Sequence, residues 1–318
     1  LEEDRLAKTG SAFGSTRRGI AYAYSDKYKK KTLRLGDLLH LDKPHIQSRL
    51  KTMLEYKNLE LGGCYHQAPM SYPALLSWCE KKAEQFAPYI TDTGNYIAAA
   101  LSNHQKVVLE AQLGAMRDID YGIFPYTSSS STISAYGPIG AGIPGTLPDH
   151  IVGVLKAYST CVGAGPFTAE KAMPEKWMES LRKSGGEYGA ATGRPRRVGP
   201  FDAVASAYGL KCQNADKIAL TKLDVLSHMD EIPVITSYKL NDEIITEFDP
   251  LDDLDSMTPV IQTLPGWNTD ISKCRKYEEL PENARKYIET LEHLLNHEIQ
   301  FISVGAERNQ YLTKGEWL

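Results

Sequence analysis

The chain has 318 residues, of which 42% are hydrophobic and 24% charged, with a formal net charge of −4. These values suit a globular protein with a sizeable core and exclude a generally basic nucleic-acid-binding domain, whose footprint is an excess of Lys and Arg. No run approaches the roughly 18 consecutive apolar residues of a membrane span, and the opening Leu1-Glu2-Glu3-Asp4-Arg5 lacks the basic-then-apolar layout of a signal peptide. Five scattered cysteines without CxxC spacing point to reduced thiols in a cytoplasmic setting rather than to zinc ligands.

In chain order, Asp42-Lys43-Pro44 offers a cap and a first-turn proline ahead of Ile46, Leu50, Met53 and Leu54, which share one helix face. This predicts a helix to about Leu59. Further helical patterns cover Tyr72 to Phe86 and Thr93 to Ser102. Lys106 to Glu110 reads as a short buried strand feeding a polar loop from Gln112 to Gly122. The same strand-then-loop order recurs at Lys217 to Leu220, followed by Thr221-Lys222-Leu223-Asp224, and at Ile299 to Ile302, followed by Ser303-Val304-Gly305. Ligands of open α/β sheets bind outside the carboxyl ends of the strands, so these loops are the places to look. Glu231 to Phe248 alternates around Asn241-Asp242 and predicts an antiparallel hairpin. Pro281 opens a helix carrying Tyr287, Ile288, Leu291, Leu294 and Leu295. The expected fold is therefore α/β with a mixed sheet and surrounding helices. No composition shift marks a domain boundary.

Ala191 to Gly199 packs Arg194, Arg196 and Arg197 between glycines. Guanidiniums crowded on a loop repel one another, so the run is either a solvated basic turn or a grip on carboxylates or phosphates. Lys222 and Asp224 have the chemistry of guanine recognition, because a carboxylate can accept from both N1–H and the 2-amino group, which adenine does not offer as a pair. The alternative is a charged strand terminus. Gly14-Ser15-Thr16-Arg17-Arg18-Gly19, followed by Lys27, Lys29, Lys30, Lys31 and Arg34, offers hydroxyl, amide and cationic donors for a phosphate, or else a solvated helix face. Asp118 and Asp120, with the hydroxyl-rich run Thr127 to Thr132 nearby, fit either a magnesium site or a pair of loop braces.

Taken in order, GSTRRGIAYAYSDKY, LRLGDL, LEAQLGAMRDIDYGIFPYTSSSST, LKAYSTCVGAGPF, EYGAATGRPRRVGPFDAVA, ALTKLDVL, TLPGW and FISVGAER closely resemble the adenylosuccinate synthetase family. The resemblance is collinear over nearly the whole chain. It implies a large, mostly parallel mixed sheet with P-loop-NTPase-like phosphate handling, and residues 1–318 as one domain. It also implies GTP-dependent ligation of IMP and L-aspartate, in AMP biosynthesis, with Mg2+ as cofactor and a homodimer as the assembly. In that chemistry O6 of IMP attacks the γ-phosphate of GTP, and the aspartate amine then displaces phosphate from C6.

The resemblance assigns residues one by one. Thr16 and Ser128 lie near the IMP phosphate, and Lys30 reaches the neighbouring subunit's IMP. The IMP-contacting glutamine aligns with Leu113, one position after Gln112. Ala190, Ala191, Thr192, Gly193, Arg194, Pro195 and Arg196 form the aspartate loop, with Arg194 also near IMP and Arg196 bridging to GTP. Lys222, Leu223 and Asp224 read guanine, with Ser303, Val304 and Gly305 behind the base. Arg17 and Cys161 replace a glycine and an arginine of the family. The family's GDEGKG phosphate loop, its aspartate base, its histidine acid and its metal ligands have no counterpart here, so the 318-residue chain alone is expected to be N-terminally incomplete and inactive. Two rivals stay open: a sister enzyme using a guanine nucleotide in place of IMP, and a catalytically silent nucleotide-binding module.

Overall fold

The computed structural model describes residues 1–12, 14–189, 193–315 and 317. They group into two compact units, one comprising Leu1–Glu110, Ser128–Ser131 and Gly137–Thr146, the other Ala111–Thr127, Thr132–Tyr136 and Leu147–Leu318.

The first unit is helical: α1 (Glu2–Ala7), α2 (Ile20–Lys29), α3 (Pro44–Tyr65), α4 (Tyr72–Phe86), α5 (Thr93–Ser102) and most of α6 (Tyr136–Ala141). α4 and α5 coincide with the predicted segments, and each is opened by a side-chain cap: Ser71 accepts from Ala74 N at 3.4 Å and Asp92 from Asn95 N at 3.0 Å. α3 departs at both ends. Lys43, not Asp42, is the residue before its first turn, and the helix continues past Leu59 to Tyr65. Gly62 and Gly63 weaken a helix by only about 1 kcal/mol each and do not stop it; His66 does, by turning left-handed. Ile46 and Leu50 of α3 pack with Cys79 of α4 as the core of this unit.

Lys106 to Glu110 is not a strand, and Val107, Val108 and Leu109 are exposed. A short apolar run satisfies a strand pattern, but its backbone groups need a neighbour to pair with, and none of the described strands pairs with it.

The second unit carries β1 (Val152–Lys156), β2 (Ser159–Cys161), α7 (Glu175–Gly185), β3 (Arg197–Gly199), β4 (Phe201–Asp202), α8 (Ala203–Gln213), β5 (Lys217–Thr221), β6 (Glu231–Leu240), β7 (Glu243–Ile245), β8 (Thr258–Pro265), α9 (Glu282–Leu295), β9 (Phe301–Ser303) and β10 (Tyr311–Thr313). β5 lies between β1 and β9, parallel to both, and β10 closes this sheet antiparallel to β9. A second sheet pairs β6 parallel with β4 and antiparallel with β7 and β8. β2 and β3 form an antiparallel ribbon. The α/β class, with its parallel core strands and surrounding helices, is as expected. So is the β6–β7 hairpin, whose turn residues Asn241 and Asp242 both take positive φ, at 48° and 70°, the conformation that a tight hairpin turn demands.

α9 buries Tyr287, Ile288, Leu291 and Leu295 on one face, and the Tyr287 hydroxyl donates at 2.6 Å to the carbonyl of Ala157, just past β1. Asp202 caps α8 by accepting from Ala205 N at 3.0 Å, and its other oxygen accepts from the buried Tyr238 hydroxyl at 2.7 Å. Burial pushes this carboxyl up to about 6. Among the described residues, no helix is long and apolar enough to cross a membrane.

Candidate active site at the strand ends

The carboxyl ends of β1, β5 and β9 deliver Lys156, then Lys222 to Asp224, then Ser303 to Gly305 to one edge of the parallel sheet. The chain leaves β5 through Lys222 in the left-handed region, at φ 62°, and enters a short 3-10 turn at Leu223–Leu226. The Lys222 ammonium donates to the carbonyl of Gly185 at 2.6 Å and pairs with the Glu187 carboxylate at 3.3 Å. Asp224 is half-buried; that burial, reinforced by the negative charge of Asp270, raises its carboxyl above the ordinary range. On β9, the Ser303 hydroxyl donates to Gly305 O at 3.0 Å and Val304 N to Gln310 O at 2.9 Å. A side chain at position 305 would meet the end of the Gln310 side chain, which would have to shift to admit it.

The arginine run is the far limb of a narrow hairpin. Arg196 N donates to Glu187 O at 2.9 Å, Tyr188 and Pro195 form a bridge, and Gly189 N donates to Arg194 O at 2.8 Å. The expected aspartate-loop residues Ala190, Ala191 and Thr192 lie outside the described residues. Arg194 is exposed at this loop. Arg196 donates through Nη1 to Glu187 Oε2 at 2.8 Å, while its buried Nε has no hydrogen-bond partner among the described residues. Arg197 behaves differently: it binds Glu170 at 2.7 Å and the carbonyl of Gly165 at 2.7 Å, over the ring of Phe167. It holds the fold, so the three arginines do not act as one anion grip.

Glu187 is the residue that sequence reasoning passed over. It is wholly buried, and its Oε1 accepts from Tyr158 at 2.6 Å and from Lys156 at 2.9 Å. Burial alone would raise its pKa, but the hydrogen bonds from Tyr158 and Lys156 and the charges of Lys156 and Lys222 prevail and hold it at about 2. Lys156, by contrast, is pulled down by desolvation. A Cβ at Gly185 would strike the Tyr158 hydroxyl, so the chain can pass this cluster only as glycine. The sequence signal was present in EYG ahead of the arginine run and in LKAY, but neither stands out by periodicity or charge.

Of the remaining predicted positions, Thr16, Lys30 and Ser128 belong to the first unit, whereas Gln112 belongs to the second. The backbone N–H groups of Gly14 and Ser15 both donate to one oxygen of Glu3, at 2.7 and 3.0 Å, which shows that this turn can hold an anionic group. Thr16 is exposed beside it, and Lys30 is exposed and left-handed at the end of α2. The Ser128 hydroxyl lies 3.3 Å from that of Ser130. Gln112 and Leu113 are both exposed, Leu113 with φ 82°. Asp118 is a brace: fully buried, it accepts from Asp120 N, Tyr121 N and Thr132 N at 2.9, 3.1 and 2.6 Å. Among the described residues there is no group of three or more His, Cys, Asp or Glu that could hold a metal ion.

The family model for adenylosuccinate synthetase matches residues 1–312. The chain belongs to the adenylosuccinate synthetase family. It is 40% identical over 311 residues to the adenylosuccinate synthetase of Carboxydothermus hydrogenoformans, covering 98% of this chain and 71% of that one. With the synthetase of Staphylococcus saprophyticus it shares 36% identity over 318 residues, covering 99% and 73%. A solved structure of fully ligated adenylosuccinate synthetase from Plasmodium falciparum superposes with a TM-score of 0.88 at 33% identity, covering 98% of this chain and 73% of that one. Adenylosuccinate synthetases are GTP-dependent ligases.

Proposed function

We propose that this protein joins IMP to L-aspartate at the expense of GTP, with the second unit supplying the guanine and aspartate contacts. The observation that carries this reading is the gathering of Lys222 and Arg196 on one buried carboxylate, with Asp224 two residues beyond Lys222, at the ends of three parallel strands. The Asp224 carboxylate accepts from the N1–H and 2-amino group of guanine, and the Lys222 stem lies along the base. Arg194 and Arg196 hold the aspartate carboxylates, and Arg196 extends to the GTP phosphates. Both guanidiniums stabilise charge as O6 of IMP bonds to the γ-phosphorus and GDP leaves, and again as the aspartate amine bonds to C6 and phosphate departs. Thr16, Ser128 and Gln112 are the IMP contacts in this reading. When bound, Mg2+ would accompany the GTP phosphates and neutralise part of their charge. A homodimer is part of the proposal, with Lys30 reaching the neighbouring site, and so is a cytoplasmic setting, to which five free cysteines are suited.

Calorimetric titration of the 318-residue chain with GDP, GTP and ATP tests the guanine reading. Guanine nucleotides should bind at least about ten-fold more tightly than ATP, the discrimination of one lost charge-assisted contact. Equal affinities would overturn it. Turnover by the native protein with GMP replacing IMP distinguishes the sister enzyme, and guanine-nucleotide binding without turnover of either substrate would favour the silent module.

A further inference from the structure

Glu187 is buried at the neck of the arginine hairpin and touches groups from three separate parts of the chain. Lys156 and Tyr158 come from the end of β1, Lys222 from the end of β5, and Arg196 from the opposite limb of the hairpin. Its two oxygens divide the work, since Oε2 takes Arg196 at 2.8 Å while Oε1 takes Tyr158 at 2.6 Å and Lys156 at 2.9 Å, with Lys222 at 3.3 Å. A second tie runs parallel to the first, from the Lys222 ammonium to the carbonyl of Gly185, two residues before Glu187. Backbone bonds then carry the connection outward, from Glu187 O to Arg196 N and from Arg194 O to Gly189 N. Any shift of Lys222 therefore alters the electrostatic environment of Arg196 through a single carboxylate. Three cations around one anion also leave the cluster short of negative charge, which incoming phosphate or carboxylate groups supply.

We propose that Glu187 is a positioning residue that couples the guanine end of the site to the aspartate loop, so that GTP and L-aspartate each bind more tightly when the other is present. The proposal rests on the functional reading above, in which Lys222 serves guanine and Arg196 serves aspartate and GTP. By linkage the coupling is reciprocal: whatever factor GTP contributes to aspartate affinity, aspartate contributes to GTP affinity.

The test is steady-state kinetics of the native protein and of Glu187→Gln, with KM for aspartate measured at low and at saturating GTP. Glutamine keeps the shape but removes the charge that the three cations share. KM for GTP and for aspartate should each rise on the order of ten-fold, with KM for IMP within about two-fold, and the dependence of aspartate KM on GTP should vanish. If that dependence persists in Glu187→Gln, the proposal is overturned. A double-mutant cycle with Lys222→Met gives the second readout: strongly non-additive losses are expected, and additive losses overturn the coupling. Should Glu187→Gln fail to fold, Tyr158→Phe removes one donor while keeping the charge, and should weaken the same dependence by about two- to five-fold; an unchanged dependence overturns the proposal. The underlying reading fails separately, and visibly, if Lys222→Met and Arg196→Leu leave GTP and aspartate kinetics as they were.

Discussion

Lys222 Nζ donates a 2.6 Å hydrogen bond to the carbonyl of Gly185 from a residue whose own backbone is held left-handed, at φ 62°. A side chain in that region is strained by roughly 1–2 kcal/mol, and glycine is not. Lys222→Gly and Lys222→Met both remove the ammonium, so both should lose GTP affinity, the glycine variant more because it also loses the stem that lies along the base. Urea denaturation should nonetheless find the glycine variant about 1 kcal/mol more stable than the methionine variant. If the two unfold at the same midpoint, the backbone is not strained there.

Asp224→Asn keeps one acceptor but sets an amide donor against a donor of guanine. GTP affinity should fall by about 1.5–3 kcal/mol, the range for a lost charged hydrogen bond, and ATP affinity much less. Because burial raises the Asp224 carboxyl, protonation removes the acceptor as the medium is acidified, and it does so at a higher pH than for an ordinary carboxylate. A profile of kcat/KM for GTP against pH should therefore show an acid limb that the asparagine variant lacks; parallel profiles would make Asp224 a structural residue.

The three arginines should separate by experiment as they do in space. Arg194→Leu should raise KM for aspartate on the order of ten-fold or more, and Arg196→Leu should raise KM for aspartate and GTP together. Arg197→Leu should leave both near normal and instead lower stability, by about 1–3 kcal/mol for a part-buried ion pair losing its partner. Normal aspartate kinetics in Arg194→Leu, with circular dichroism unchanged, would make the hairpin an ordinary basic turn.

Asp202 gives a stability signature of opposite sign to that of most carboxylates. Its pKa stands at about 6 in the fold against 3.8 for the unperturbed group. The folded state therefore holds the proton more tightly, and the contribution is full below about 4 and lost as pH rises through about 6. Denaturant unfolding of Asp202→Asn should lack this decline, so its stability relative to the parent should improve between pH 4 and pH 7 by up to about 3 kcal/mol. A constant difference across that range would mean that Asp202 is charged throughout.

Local elements were legible wherever a short pattern determines them. The helical patterns from Tyr72 to Phe86 and from Thr93 to Ser102 announce α4 and α5, and Asn241-Asp242 announces the β6–β7 turn. Lys106 to Glu110 misled because a strand is a property of two segments, and one segment's pattern says nothing of its partner. Within the site, Lys222, Asp224 and Ser303 were legible as strand ends. Arg196 and Arg197 look equivalent in sequence, yet successive residues of extended chain point to opposite sides, which sends one to Glu187 and the other to Glu170. Glu187 was illegible because its role exists only after Lys156, Arg196 and Lys222 have been brought together by tertiary structure. Asp118 fitted two readings, a magnesium ligand or a loop brace, and the three amides aimed at its oxygens favour the brace.

The parallel order of β1, β5 and β9 also governs when the site can come into being. Parallel neighbours are joined by long crossovers, so the ends bearing Lys156, Lys222 and Ser303 stay apart until distant stretches of chain have met. During synthesis the hairpin with its arginines emerges well before Ser303 and Gly305. A nascent chain therefore presents a cationic loop before the end of β9 has docked, and in the proposed function nucleotide assists only the closing stage of folding. Guanine nucleotide added during refolding should accordingly act late, on the docking of β9, and leave the earlier collapse untouched.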